Sequence, residues 1–489
     1  MSSKKTLLNS LIYIILGFLA PAVNFILLPI YTHYLEAQDY ALITQSALIQ
    51  SVFVNILGFG INAAFARYFF DFYKEPEKLD ELYSTTIISY LISGSVIIAV
   101  FSVIGEWILD ISFSNKVFTY WGYGFFSVST ALMANLQLIS LSYYRNQEKA
   151  LNYAVLAIMF FLSVASCIYI GVVVMELKAK GSIVGRFVGT LIPIMLYVIW
   201  FYRKRSIKYS VLLNKQMLIY GLPLVPYLLL NVVLDQADKY AVERFFDMTI
   251  LGLYGFGFLI ASVNDIFINS INAALSPQVY KNLGSDEIAD LTKVRKLINI
   301  YVSAGVAINI GITVAGALGI HYLLNDNYKP VAAFFPLLSL AYIPRVFFTA
   351  YQMPVFYNKQ TRVMPFINML TLVVYVIGFI IAAPVLGIYG VCIATILIKL
   401  TQMVSLYLFI RRKKMDVRRV PIFELRNEYI ISLLLFVYMG TWYIVSPQLG
   451  EEYRFLWLVP LLFTALPYLG IRILQVSGIN IREAVTKFL

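Results

Sequence analysis

The chain has 489 residues, 60% hydrophobic and 13% charged, with a formal charge of +12 at pH 7 and a mean hydropathy of +0.78. So little polar surface excludes an ordinary water-soluble domain and makes lipid the principal solvent. No stretch is long and polar enough for a separate aqueous domain, which argues against a membrane polymerase or glycosyltransferase needing carboxylates in a large aqueous loop.

From the N-terminus, the segment "MSSKKTLLNSLIYIILGF" starts basic and runs on without a small-residue cleavage site. It reads as a first membrane helix and not as a removable signal peptide. Apolar runs of about 20 residues, each enough for a hydrocarbon core of ~30 Å, then recur along the chain. The first six spans are expected at 9–33, 40–63, 83–105, 117–142, 152–175 and 181–202. Six more are expected at 217–238, 250–275, 297–320, 331–353, 364–384 and 387–410. The last two lie at 428–446 and 455–474, so the sequence predicts an all-α integral membrane protein with 14 transmembrane helices.

Charge sets the orientation. With the N-terminus inside, cytoplasmic segments hold 28 of the 38 Lys and Arg residues and outward segments hold 7. That four-to-one bias predicts cytoplasmic termini and explains the positive balance without nucleic acid. Cys167 and Cys392 lie inside apolar runs, far apart and without CxxC spacing, so neither a disulfide framework nor a metal site is indicated. His33 and His321 end their spans without partners at metal-ligand spacing. No phosphate-binding glycine loop or nucleotide motif occurs, so no cofactor is expected and direct use of ATP is excluded.

Four short motifs recur in order. "DYAL" at 39–42 answers "LYGF" at 253–256, with Tyr40 and Tyr254 separated by 214; "INAA" recurs at an offset of 210. "YRNQEK" at 144–149 matches "YNKQTR" at 357–362, and "GSIVG" at 181–185 resembles "GIYG" at 387–390. Six spans per copy bring both copies into the membrane in the same sense, which predicts two six-helix lobes related by a parallel repeat. The expected divisions are 1–210, 211–415 and, for two additional C-terminal helices, 416–489. Duplicated lobes suit a transporter that works by alternating access.

Charges within the apolar runs are the candidate functional residues, because a charge at the bilayer centre costs ~2.5–3.5 kcal/mol even on insertion scales. Arg345 lies 14 residues into its span, Lys399 12 and Asp265 15. At ~1.5 Å per residue all three fall near mid-membrane, in the second lobe. Two cations and one carboxylate suit an anion such as phosphate; alternatively, Asp265 pairs with Arg345 or Lys399 to hold the lobe together. The first lobe offers neutral groups at that depth: Asn24, Gln50, Asn55, Asn135 and Gln137. Arg186 is close to the outer surface, where it either snorkels or meets substrate. Arg67, at the inner end of the second span, suits a topology or phosphate-rim role. At the outer end of the seventh span, "NVVLDQADKYAVERFF" places Asp235, Lys239 and Glu243 at i, i+4 and i+8, with Asp238 beside them. The expectation is a self-neutralising row serving as an ion-coupling element, an outer gate or a solvated cap.

The stretches "NFILLPIYTHYLEAQDYAL" and "YGLPLVPYLLLNVVLDQADKYAVERFFDMTILGLYGF" resemble the polysaccharide-transporter branch of the multidrug/oligosaccharidyl-lipid/polysaccharide (MOP) superfamily, which includes Wzx-type O-antigen and capsule flippases. The matching elements are Pro29 and Tyr40 in the first lobe and Pro223, Asp238 and Tyr254 in the second. "DYA" at 39–41 departs from the usual Tyr-Gly, which the second lobe keeps as Tyr254-Gly255. The resemblance implies a non-enzyme of the bacterial cytoplasmic membrane that flips undecaprenyl-diphosphate-linked oligosaccharide to the outer leaflet. It implies membrane lipids as surroundings, and a polysaccharide polymerase and chain-length regulator as partners. Alternatives within the superfamily are a lipid II flippase, which a positive first-lobe cavity would favour but which the lack of a midplane cation in that lobe counts against, and a multidrug or cation antiporter, which would want a carboxylate-rich cleft.

Overall fold

The computed structural model describes residues 19–203, 205–284, 287–415, 421–445 and 460–477. The start of the first expected span, the end of the thirteenth, the start of the fourteenth and both terminal tails lie outside these residues. The described residues are helical and contain no β-strand. Ten of their helices are long and apolar enough to cross a bilayer, so this is a multi-pass membrane protein. The fourteen-span expectation rests in part on residues outside the described ones.

By its internal packing the chain forms two units, residues 1–256 with 325–328, and residues 257–324 with 329–489. In the first unit, α1 is Leu19–Ile26 and α2 is Leu28–Tyr34, whose start carries Pro29 where no backbone donor is needed. Helix α3, Ala37–Gly58, begins at a capping box in which Glu36 and Asp39 bond each other's backbone N–H. The expected second span runs to residue 63, but left-handed Phe59 and Gly60 end the helix earlier and α4 is a separate helix, Ile61–Asp71. Next come α5 (Pro76–Ser112), α6 (Tyr120–Asn146), α7 (Ala150–Val174), α8 (Lys178–Tyr202) and α9 (Val211–Phe245). Pro223 turns α9 through a short 3-10 segment at Leu222–Leu224. The core of this unit is aromatic: Tyr83, Tyr143, Tyr197 and Phe201 are buried with their rings in contact.

Helix α10, Met248–Leu283, contributes its first two turns to the first unit and the remainder to the second. Where its start crosses α3, a Cβ on Gly252 would lie 1.7 Å from the Ala37 carbonyl oxygen, so only glycine fits there. The motifs "DYAL" and "LYGF" consequently meet, with the Tyr40 and Phe256 rings 5.2 Å apart.

The second unit continues with α11 (Ile288–Leu323), α12 (Val331–Tyr357), α13 (Val363–Arg412), α14 (Arg426–Val445) and α15 (Leu466–Ser477). At 50 residues α13 would span ~75 Å if straight, more than twice a hydrocarbon core. It bends at Gly387, whose φ of 61° and ψ of −143° only glycine adopts without strain, inside the break expected between 384 and 387. Before the bend, α13 exposes Phe366, Leu370, Val373, Ile377 and Ile380, a stripe at intervals of three and four that suits lipid. Opposite demands meet inside the unit, where buried Asn264, Asn309, Thr313 and Ser339 hydrogen-bond one another. Asn309 Nδ2 donates to Asn264 Oδ1 at 3.0 Å and to the Ser339 carbonyl at 2.7 Å, and the Thr313 and Ser339 hydroxyls are 2.6 Å apart. This network ties α10, α11 and α12 together in a setting where a lone polar group would be costly.

Candidate functional site: a cationic cavity, an ion pair and a buried polar cluster

In the first unit a cavity of about 180 Å³ opens among α3, α6, α7 and α8. Arg186 is the charged residue in its lining, with Gln50, Thr130, Gln137, Tyr153 and Thr190 around it. Arg186 Nη2 donates to Asn24 Oδ1 on α1 at 2.5 Å, and the Thr190 hydroxyl donates to the Arg186 carbonyl one turn back. Gln50 Nε2 donates to Ser46 Oγ at 2.9 Å, which in turn is 2.7 Å from Ser127 Oγ. Arg186 thus faces inward and does not snorkel. It donates to a neutral amide, so its full charge stays available to an anion. Asn24, Gln50 and Gln137, legible in the sequence only as neutral polar groups, converge on it; Asn135 is instead bonded to Asn62 and to the Val54 carbonyl.

The second unit brings Arg345 and Asp265 together. Arg345 Nε is 2.5 Å from Asp265 Oδ1, with both side chains under a third exposed. Asp265 follows Asn264 of the buried amide network directly, so the pair is held by a rigid neighbourhood. Of the two sequence readings, the pairing of Asp265 with Arg345 is the one observed. Lys399 is half-buried on α13, after the Gly387 bend. Arg67 is exposed on α4, its guanidinium 5.7 Å from the Tyr220 ring centre, as suits a surface residue.

At the end of α9 the expectation of a solvated row needs correction. Asp238, Lys239 and Glu243 are all buried, with Asp235 exposed. Asp238 Oδ2 accepts from the Tyr254 hydroxyl at 2.9 Å, and its other oxygen lies 3.8 Å from Lys239 Nζ. Lys239 also donates to Gln236 Oε1 at 2.8 Å. Glu243 accepts from the Ser114 N–H at 2.6 Å and from Asn115, so it binds the segment after α5 instead of closing a row on α9. Beside it, Tyr328 donates to the Leu35 and Glu36 carbonyls, both at 3.2 Å, and its ring packs on Phe256 and Tyr40. Burial pushes the Tyr328 phenol well above its ordinary pKa, keeping it a neutral donor. Together these contacts form a lock across the ends of α2, α3, α9 and α10. Among the described residues no group of three or more His, Cys, Asp or Glu is placed to hold a metal ion.

Comparison with solved structures finds the same multi-pass helical fold in other membrane proteins. The lipid II flippase MurJ in its inward closed conformation aligns with a TM-score of 0.69 and 14% identity, covering 98% of this chain and 100% of that one. An inward-facing multidrug resistance MATE family transporter of the MOP superfamily aligns with a TM-score of 0.65 and 14% identity, covering 80% of this chain and 94% of that one. No protein-family model matches the sequence. Among curated proteins the chain is similar to protein 1 of the Lsg locus of Haemophilus influenzae, 27% identical over 290 residues, 57% of this chain and 67% of the relative. It is also similar to an uncharacterized membrane protein of the same organism, 24% identical over 423 residues, 81% of this chain and 97% of that one. The fold is therefore the one these solved transporters share.

Proposed function

We propose that the chain flips undecaprenyl-diphosphate-linked oligosaccharide repeat units from the cytoplasmic to the outer leaflet of a bacterial cytoplasmic membrane by alternating access. Its N- and C-termini lie in the cytoplasm, on the side where Lys and Arg accumulate. The observation that carries the reading is the Arg186 cavity: one guanidinium among amides, hydroxyls and a tyrosine, without a lining carboxylate. A diphosphate needs a fixed cation in a low-dielectric site, and sugars need neutral donors and acceptors with an aromatic face. A site for cationic drugs would carry the opposite charge.

Arg345 and Lys399 form the second anion-contacting element in this reading, with Asp265 as the coupling group. While ionised, Asp265 balances Arg345; on binding a proton it releases the guanidinium to the substrate. Arg67 guards the inner rim, and the Asp238–Tyr254 and Lys239 contacts form an outer gate, with Asp235 at its solvent side.

The same positive cavity equally suits a second reading, lipid II flipping. Both substrates present a diphosphate, and the sugars differ. The deciding experiment is gene deletion with complementation, together with expression in cells depleted of their own lipid II flippase. The proposal expects loss of surface polysaccharide in the deletion and no rescue of the depleted cells. Rescue with unaltered surface polysaccharide in the deletion would establish the second reading instead.

A further inference from the structure

A second cavity, of about 430 Å³, lies in the second unit at the starts of α11 and α14 and the last turns of α15. Its lining contains four cations, Arg295, Lys296, Arg426 and Arg472, against one carboxylate, Glu424. Arg295 Nη1 is 2.7 Å from Glu424 Oε2, and Arg472 Nε lies 3.6 Å from Glu428 Oε1 behind the wall. Glu428 is fully buried and accepts from the Ser303 hydroxyl at 2.9 Å. Lys296 and Arg426 are exposed and project their charge at the cavity mouth. Counting both carboxylates, the cations remain in excess by two.

Asn299 adds an independent sign of a ligand. It lines the cavity, is 6% exposed, and its Oδ1 has no hydrogen-bond partner among the described residues. A buried amide oxygen left unpaired is costly, and rotation of the amide offers its two N–H donors to an anion in the same place. A volume of this size matches a headgroup-sized ligand.

The cavity's position narrows the class of anion. It sits where α11 passes from "TKVRKLIN" into apolar sequence, and its lining includes Arg426, at the end of a basic stretch of sequence expected on the cytoplasmic side. Just beyond it, α14 exposes Ile430, Leu433, Leu434 and Val437 on a single face, and α15 exposes Ile471. A basic pocket continuous with an apolar stripe suits an amphiphile with a phosphate head and acyl tails. We propose that this cavity holds the phosphate of an anionic phospholipid from the cytoplasmic leaflet, clamping α14 and α15 to α11. The claim is separate from the identity of the transported substrate, because none of these residues belongs to the Arg186 cavity or the Arg345–Asp265 pair.

The test is native mass spectrometry of the detergent-purified full chain titrated with phosphatidylglycerol or phosphatidylcholine, alongside thermal unfolding with inorganic phosphate. Lys296→Gln/Arg426→Gln removes two exposed cations, and at ~1 kcal/mol each it should weaken phosphatidylglycerol retention about thirtyfold. Glu424→Gln should act in the opposite direction and tighten retention roughly fivefold. Phosphatidylcholine should bind weakly and respond to neither change. Equal phosphatidylglycerol binding by the wild type and both variants would overturn the proposal. So would inorganic phosphate that binds with the expected variant dependence while phosphatidylglycerol does not, since the site would then serve a soluble phosphate.

Discussion

Arg186 and Arg345 are both guanidiniums inside apolar helices, yet their partners differ in one respect. Arg186 meets the neutral oxygen of Asn24, whereas Arg345 meets the carboxylate of Asp265. An amide orients a guanidinium and leaves its charge in place; a carboxylate cancels it until protonated. The first unit thus carries a guanidinium beside a neutral partner, and the second carries one in an ion pair. In the proposed function, that difference assigns anion holding to Arg186 and coupling to the Asp265–Arg345 pair.

The comparison breaks most severely in the second unit. Asp265→Ala should strand Arg345 in a mostly buried position and lower stability by ~3 kcal/mol, whereas Asp265→Ala/Arg345→Met should recover most of that. Chemical unfolding in detergent measures both, and a single variant as stable as the wild type would deny the pair a structural role. Arg186→Ala should leave stability nearly unchanged and weaken substrate binding by ~2 kcal/mol, or about thirtyfold, with partial recovery in Arg186→Lys. Asp265→Asn keeps the shape of the pair without its charge, and it should make export insensitive to collapse of the proton gradient. Transport by that variant that still responded as the wild type does would remove Asp265 from coupling. Glu243→Gln should cost ~1 kcal/mol, read from the unfolding midpoint, because the Ser114 N–H keeps an acceptor but loses the charge assistance. Arg67→Ala, on an exposed face, should change stability by less than about 0.5 kcal/mol, so a fall in its export would report the inner-rim role and unchanged export would remove it.

What the sequence reveals here follows from how lipid acts as a solvent. Apolar run length exposes the helices, and the Gly387 bend shows as a Pro-Gly interruption in one long run. Single charges in greasy sequence stand out, so Arg186, Arg345 and Asp265 are legible one by one. Their surroundings are not. Asn24, Gln50 and Gln137 come from three different helices, and nothing in a single sequence says that they converge on Arg186. The end of α9 fails for a related reason: an i, i+4, i+8 row of opposite charges looks alike on a solvated face and on one packed against a polar loop. Burial of Asp238, Lys239 and Glu243 depends on Tyr254 and Ser114, which lie in other segments. Glu428 is a further case. It stands at the start of an expected span, and its full burial between Ser303 and Arg472 depends on residues of other helices.

The most direct test of the account is equilibrium binding of undecaprenyl diphosphate to the purified protein, comparing the wild type with Arg186→Ala and with Asp265→Ala/Arg345→Met. The account predicts that Arg186→Ala loses about thirtyfold in affinity while the double variant, still folded, loses far less. Full-strength binding by Arg186→Ala, with the loss falling on the double variant, would contradict it.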